Sequence, residues 1–152
     1  EVYSSVEWPV IILLASVIPL GATLESNGTT EIIVQILTKY ASSMEPWLII
    51  AIIMIITMTL SDILNNTATT LVIAPISIQL AQTLNLNTDT FLMAVAVSAS
   101  CAFLTPIGHK NNTIILGPGG YRFGDYWRMG LVLEVLIILT SIPLLLIFWP
   151  IN

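Results

Sequence analysis

The chain has 152 residues, of which 56% are hydrophobic and only 9% are charged, and its formal net charge is −5. Because soluble domains are about a quarter charged, this composition excludes a soluble protein and indicates an integral membrane chain. The chain has only four Lys and Arg residues in total, which argues against nucleic acid as a partner. It has one Cys and one His, so it cannot form an internal disulfide and lacks the spacing of a metal site.

The first apolar segment covers residues 8–24 and begins with Trp8 and Pro9, which suits a helix entering at the membrane interface. Pro19 and Gly21 predict a kink or an early end in its second half. Since the sequence starts at Glu1 with no signal-peptide pattern, we expect a part of a longer protein, although processing could give the same start.

Residues 29–40 predict a short amphipathic helix. Glu31, Gln35 and Lys39 share one face at i, i+4 spacing, and apolar side chains occupy the other face. Such a helix is typical of the membrane interface. The alternative, a helix packed on a soluble core, disagrees with the composition of the chain.

Residues 46–84 predict a helical hairpin whose two arms have no charged face. The first arm ends near Leu60 and Ser61, and the second begins near Thr67, with a polar cluster between them. The run is too long for one crossing, since about 20 apolar residues span the hydrocarbon core. Two geometries remain open: a re-entrant hairpin with a buried tip, or an ordinary turn between two transmembrane helices.

A buried tip could bind ions at its helix ends. The first arm would present unpaired carbonyls, which favour a cation, and the second arm would present unpaired N–H groups, which favour an anion. Broken helices with such ends bind ions near the midplane of transporters. In the turn alternative, Asn65 and Asn66 are simply turn residues.

Residues 90–117 predict a broken helix. Thr88 or Asp89 can cap its first part, which carries small residues on repeated turns and extends to about residue 104. A polar break follows at residues 105–113, then a short apolar stretch that ends in a turn at residues 117–120.

The last span covers residues 130–149, after an aromatic and basic interfacial segment. Arg122 and Arg128 place the preceding loop in the cytoplasm by the positive-inside rule, so the C-terminus would lie outside. Glu134 lies about one turn into this span, where we expect it to snorkel or cap.

Ionisable groups at membrane depth are usually functional. Asp62 could relay protons or end the first arm at a surface. His109 and Lys110 could attract a carboxylate or belong to an exposed turn. No Ser/His/Asp or Cys/His set is arranged for catalysis, so we do not expect an enzyme. The chain thus has two polar interruptions, the cluster between the hairpin arms and the break at residues 105–113. Each joins the end of one helix to the start of the next through Asn and Thr, and together they could enclose one site.

The same two stretches resemble a known family. Asn65, Asn66, Thr67 and Ala68 are similar to the Ser-Asn-Thr signature at the hairpin tip of the divalent anion/sodium symporters, which belong to the citrate-transporter-like proteins of the ion transporter superfamily. The run of Thr105, Pro106, Ile107 and Gly108, with Asn112 after it, is similar to their unwound Thr-Pro-x-Gly-x-x-x-Asn segment. The order and spacing hold across residues 8–149.

The resemblance implies an all-α membrane fold of two inverted repeats, each with a re-entrant hairpin and a broken helix, usually in a homodimer. This chain would be a single domain holding the C-terminal repeat, and the missing part would supply the N-terminal one. The implied sodium ligands are the backbone of Ser61, Leu64 and Gly108 and the side chain of Asn66. The implied substrate-binding residues are Asn65, Asn66, Thr67, Thr105, Pro106, His109 and Asn112.

Two departures affect the substrate. Asn65 replaces the usual Ser, and His109, Lys110 and Asn111 replace the commoner Thr-Pro-Pro, which adds positive charge. The change at residues 109–111 leaves the substrate class and the coupling ion open. From the resemblance we expect sodium-coupled symport of small anions, first carboxylates and then sulfate, by alternating access in the cell (inner) membrane. The alternatives are a cation/proton antiporter or oxyanion exporter of the same superfamily that uses Asp62 as proton carrier, and a structural membrane subunit without transport.

Overall fold

The computed structural model describes residues 26–41 and 43–151, together with four residues of the preceding segment, Ile12, Ala15, Pro19 and Thr23. The predicted first apolar segment at residues 8–24 therefore lies largely outside the described residues. The helices of the described part are α1 (Thr29–Ala41), α2 (Pro46–Ile63), α3 (Asn66–Thr83), α4 (Thr88–Ala99), α5 (Lys110–Leu116) and α6 (Tyr126–Phe148). The described residues contain no strand, which confirms the predicted all-α fold.

Within the described residues, two segments are long and apolar enough to cross a membrane, Pro46–Ile63 and Phe123–Phe148. The second combines α6 with a 3₁₀ turn at Phe123–Asp125, so the last helix begins before the predicted residue 130. Helix α4 has 12 residues, or about 18 Å at 1.5 Å per residue, too short to span a hydrocarbon core of about 30 Å. The fold is that of an all-α membrane protein in which α4 is too short to cross the membrane.

The apolar core lies where α2, α3 and α4 pack together. Its fully buried large side chains are Ile50, Met54, Met58, Leu80, Phe91 and Val95. Helix α1 packs on α3 and brings Val34 and Ala41 to this core, while Ile32 and Tyr40 stay exposed. Helix α1 therefore packs on the bundle through the side that carries Val34 and Ala41, while most of the predicted apolar face is exposed, and its place at the membrane interface stays a prediction.

Helix α6 contacts the bundle along a narrow side. Its buried residues are Gly130, Glu134 and Leu145, while its other faces expose large apolar side chains, such as Met129 at 79% exposure. These faces suit lipid or another membrane-embedded surface.

The end of α6 is tied to the start of α4. The Asn87 N–H donates to the Ile151 carbonyl at 2.9 Å, and the Asn87 Nδ2 donates to the Pro150 carbonyl at 2.8 Å. Thr90 Oγ1 also donates to the Trp149 carbonyl at 2.9 Å. We call this group of bonds the clasp. It holds two distant parts of the chain at one end of the bundle.

The structure corrects two predictions about α4. Its N-cap is Asn87, whose Oδ1 accepts from the Asp89 N–H at 3.0 Å, and not Thr88 or Asp89. The helix ends at Ala99 instead of near residue 104, because the N–H groups of Leu104 and Thr105 donate to Asp62 on α2. The Asp62 side chain thus accepts the hydrogen bonds that backbone carbonyls would accept if α4 continued.

Candidate functional site

The two predicted interruptions lie against each other. The hairpin tip is the connection Leu64–Asn65 between α2 and α3, and the break covers residues 100–109 between α4 and α5. Gly108 of the break is buried against the tip: a Cβ there would lie 2.9 Å from the Ser61 carbonyl oxygen and 2.9 Å from the Asp62 Cα. Only a glycine allows two backbones to approach so closely.

The hairpin tip is held mainly by its own residues. Asn65 Oδ1 caps α3 by accepting from the Ala68 N–H at 2.7 Å, and the Leu64 N–H donates to the Leu60 carbonyl at 2.9 Å. Both connecting residues are exposed. The tip thus follows the rule that Asn is a strong N-cap.

Ser61 joins the tip to the end of α4. Its buried Oγ lies 2.6 Å from the Ala99 carbonyl and 3.0 Å from Asn66 Oδ1. The last residue of α4 therefore shares a hydroxyl with the first residue of α3. Two helix ends of opposite polarity meet at this serine.

Asp62 anchors the break to α2. Its Oδ1 accepts from the Leu104 N–H at 2.9 Å and from the Thr105 N–H at 3.3 Å, and its backbone carbonyl accepts from Thr105 Oγ1 at 2.7 Å. The Thr105 Oγ1 in turn accepts from the Gly108 N–H at 3.2 Å. The carboxylate takes the place of helix carbonyls for this stretch of backbone.

Asn112 holds the break from its other end. Its Nδ2 donates to the carbonyls of Ala102 and Thr105, each at 3.2 Å, and its own carbonyl accepts from Tyr126 Oη of α6 at 2.8 Å. The Pro106 carbonyl accepts from Thr113 Oγ1 at 2.6 Å. Side chains thus satisfy a non-helical segment inside an apolar bundle, as a low-dielectric site requires.

One contact crosses directly between the interruptions. Asn66 Nδ2 lies 3.3 Å from His109 Nδ1. Both side chains are half-buried, as is Thr67 in the first turn of α3, and Lys110 is exposed beside them. The surface therefore combines amide, hydroxyl and imidazole groups with one cation, which suits a hydrated or partly hydrated anion.

The structure brings together Ser61, Asn66, Gly108 and His109 from the predicted set. It gives Thr105 and Asn112 polar partners within the break, buries Pro106, and uses the Asn65 oxygen as a helix cap. Leu64 lies at the exposed edge of the tip. That these residues bind sodium and an anion stays a prediction.

Glu134 contradicts the expectation that it would snorkel or cap. It is buried and packs against Asp62 of α2 and Phe103 of the break. The reason is Gly130, one turn earlier on the same face: a Cβ there would collide with the Phe103 carbonyl, so the α6 backbone touches the break. In the sequence, this burial was indicated only by a glycine and an acidic residue four positions apart in an apolar span.

Comparison with known proteins gives matches that cover nearly the whole chain. The model of the citrate transporter family matches residues 1–151. An uncharacterized transporter of Synechocystis is 37% identical over 152 residues, which cover 100% of this chain and 25% of the relative. A sodium-dependent low-affinity dicarboxylate transporter of Caenorhabditis elegans is 29% identical over 140 residues, 91% of this chain and 24% of the relative.

A sodium-dependent dicarboxylate transporter of Staphylococcus saprophyticus is 27% identical over 142 residues, 93% of this chain and 27% of that protein. The chain thus spans about a quarter of the length of these curated relatives. They are transporters rather than enzymes.

Proposed function

Because the chain belongs to the citrate transporter family, we propose that it forms one half of the transport site of a sodium-coupled symporter for small anions. Carboxylates are the first substrate class and sulfate the second. The observation that carries the proposal is the meeting of the hairpin tip and the break, joined by Ser61, Asn66, Gly108 and His109.

The proposed cation position lies at the carbonyl end of α2. Sodium would be held by the backbone of Ser61, Leu64 and Gly108 and by the Asn66 amide oxygen. Gly108 lies against the Ser61 carbonyl, and Asn66 Oδ1 already points to Ser61, so hard oxygen donors converge there. Sodium dependence is also in the names of the nematode and staphylococcal relatives.

The proposed anion position lies at the N-terminal end of α3. Asn66 and Thr67 would contact the substrate at the N-terminal end of the helix dipole, and His109 would face it from the break. Thr105, Pro106 and Asn112 would set the shape of the break around the anion. The Asn65 Nδ2 could donate to it while Oδ1 keeps its capping bond.

We propose that the remainder of the chain supplies a second hairpin and break in inverted topology, and that two copies form a homodimer. Alternating access would then expose the joint site to one side at a time, with sodium bound before the anion. The mass of the full-length particle in detergent tests the dimer, and a monomer would exclude it.

We propose an orientation with the loop before α6 in the cytoplasm of a cell (inner) membrane and the C-terminus outside. Exposed Arg122 before α6 and exposed Arg128 in its first turn support it by the positive-inside rule. A Gly117→Cys variant tests it, since a side chain at Gly117 has open space around it. We expect an impermeant maleimide to label this cysteine in inside-out vesicles and not in intact cells; the reverse pattern would invert the topology.

The function is tested with the full-length protein in proteoliposomes. We expect a sodium gradient to drive uptake of labelled succinate or sulfate, and Asn66→Ala to lower that uptake at least about tenfold, since a half-buried amide proposed to bind both ions is removed. Gln82→Ala is the matched control, because Gln82 is an exposed amide at the far end of α3. Uptake without sodium dependence, or proton-driven efflux lost in Asp62→Asn, would support the antiporter alternative instead.

A further inference from the structure

An apolar groove lies between the break, α5 and α6. Its volume is about 670 Å³, within the range of about 300–1,000 Å³ that is usual for ligand pockets. Its lining is mostly apolar and consists of Phe103 of the break, Ile115 of α5, and Met129, Val132, Leu133 and Leu136 of α6. These four α6 side chains are 43–79% exposed, so the groove is open on its outer side. Since α6 belongs to a segment that can cross a membrane, this side faces hydrocarbon or another apolar surface.

The groove follows the axis of α6. Met129 and Leu136 lie seven residues apart, which corresponds to about 10 Å along the helix. Membrane-spanning helices are tilted by only about 20° on average from the bilayer normal. The groove therefore has roughly the direction of a lipid acyl chain in the adjacent leaflet.

One end of the groove has the composition of a membrane interface. Tyr121 and Tyr126 line this end, with ring centroids 5.9 Å apart, and Tyr126 Oη donates to the Asn112 carbonyl at 2.8 Å. Phe123 and Trp127 are exposed beside them. Amphipathic aromatic side chains are enriched where the hydrocarbon meets the headgroups. The groove therefore opens at the depth of the headgroups and continues into the apolar layer.

Both arginines of the sequence lie at this end. Arg128 is four residues before Val132 and thus on the same side of α6 as the groove, and Arg122 precedes the first turn. Both side chains are exposed. Asp125 is the only acidic residue in 121–133, and its Oδ2 already accepts from the Arg122 N–H at 2.7 Å. Two guanidinium groups against one engaged carboxylate leave this end positive, which complements a phosphate.

We infer that the groove binds one phospholipid with an anionic headgroup. Its acyl chain lies along Met129, Val132 and Leu136, and its phosphate lies at Arg122 and Arg128. The apolar lining accepts the acyl chain of any lipid, so the headgroup is selected by the arginines, each worth about fivefold in affinity near a membrane surface. The inference requires α6 to lie in a membrane, and it depends on neither sodium nor a transported anion.

The competing occupant is another segment of the full-length protein, since this chain spans about a quarter of the length of its relatives. An apolar protein segment would need no cations at the mouth of the groove. The two arginines at that position therefore favour the lipid.

Photocrosslinking in the full-length protein tests the occupant. The protein is placed in lipid nanodiscs with equal amounts of phosphatidylglycerol and phosphatidylcholine, and Val132 is replaced by the photoreactive residue benzoylphenylalanine. Val135→benzoylphenylalanine is the matched control, because Val135 is also exposed on α6 but does not line the groove. We expect the ratio of crosslinked phosphatidylglycerol to phosphatidylcholine to be at least about fivefold higher from position 132 than from position 135.

Two results of this experiment would overturn the inference. Equal ratios at the two positions would show that only bulk lipid reaches the groove. Crosslinks from position 132 to other parts of the protein, in place of lipid, would show that the remaining chain covers it.

The arginines are tested in the same assay. Arg122→Gln together with Arg128→Gln should lower the ratio at position 132 to that at position 135. Both side chains are exposed, so we expect the fold to tolerate the change. Lys39→Gln, which removes an exposed cation of α1, should leave the ratio unchanged. A ratio that survives the double change, or that falls equally in Lys39→Gln, overturns the inference.

Discussion

The hairpin tip and the break are both interruptions in apolar helices, yet their backbones are held in opposite ways. The tip is short, and Asn65 caps the next helix from within it. The break is long, and its N–H groups bind Asp62 on another helix, while Asn112 and Tyr126 hold its far side. The tip is thus a local structure, whereas the break depends on the packing of three segments.

This difference predicts that changes at residues which hold the break cost more than changes within the tip. The largest effect is expected for Asp62→Ala, which leaves the half-buried Leu104 and Thr105 N–H groups without this acceptor. At about 1–3 kcal/mol for each unsatisfied donor, we expect a loss of roughly 3 kcal/mol in unfolding free energy. Melting of the full-length protein measures it, and Glu45→Ala, at an exposed carboxylate, should melt like the wild type.

Gly108→Ala should have the next largest effect, because the new Cβ would lie 2.7 Å from the Ala102 Cβ and 2.9 Å from the Ser61 carbonyl oxygen. Overpacking of this kind costs about 1–3 kcal/mol. It should also separate the break from the tip and lower sodium-driven uptake. Gly117→Ala is the control, since nothing lies within 4 Å of a Cβ there. If both variants melt and transport alike, the break does not pack on the tip as described.

The smallest effect is expected within the tip. Asn65→Ala removes the cap of α3 and should cost about 1 kcal/mol, whereas Asn65→Ser keeps an acceptor and should cost little. Melting of the two variants gives the difference. An Asn65→Ala variant as unstable as Asp62→Ala would show that the tip, too, is held by more than its own residues.

The position of both interruptions could be predicted from the sequence, since polar residues in a long apolar run leave few other structures. The end of α4 could not, because it is set by Asp62, 42 residues before Leu104 along the chain. The burial of Glu134 was also missed, because spacing alone does not say which face of a uniformly apolar helix meets the bundle. A helix cap can be predicted from neighbouring residues, whereas the break depends on contacts between residues that are distant along the chain.

The clasp provides a scale of depth for the whole bundle. Helix α4 leads from the clasp to the break over 12 residues, or about 18 Å. On α6, Glu134 lies 14 residues before Phe148 at the clasp, or about 21 Å from it. The break and Glu134 therefore lie at a similar distance from the clasp. With the clasp at one surface of a hydrocarbon layer about 30 Å thick, only about 10 Å separates the break from the opposite surface. Under the proposed transport function, a solute would have a short vestibule on that side and a long, protein-filled barrier on the side of the clasp.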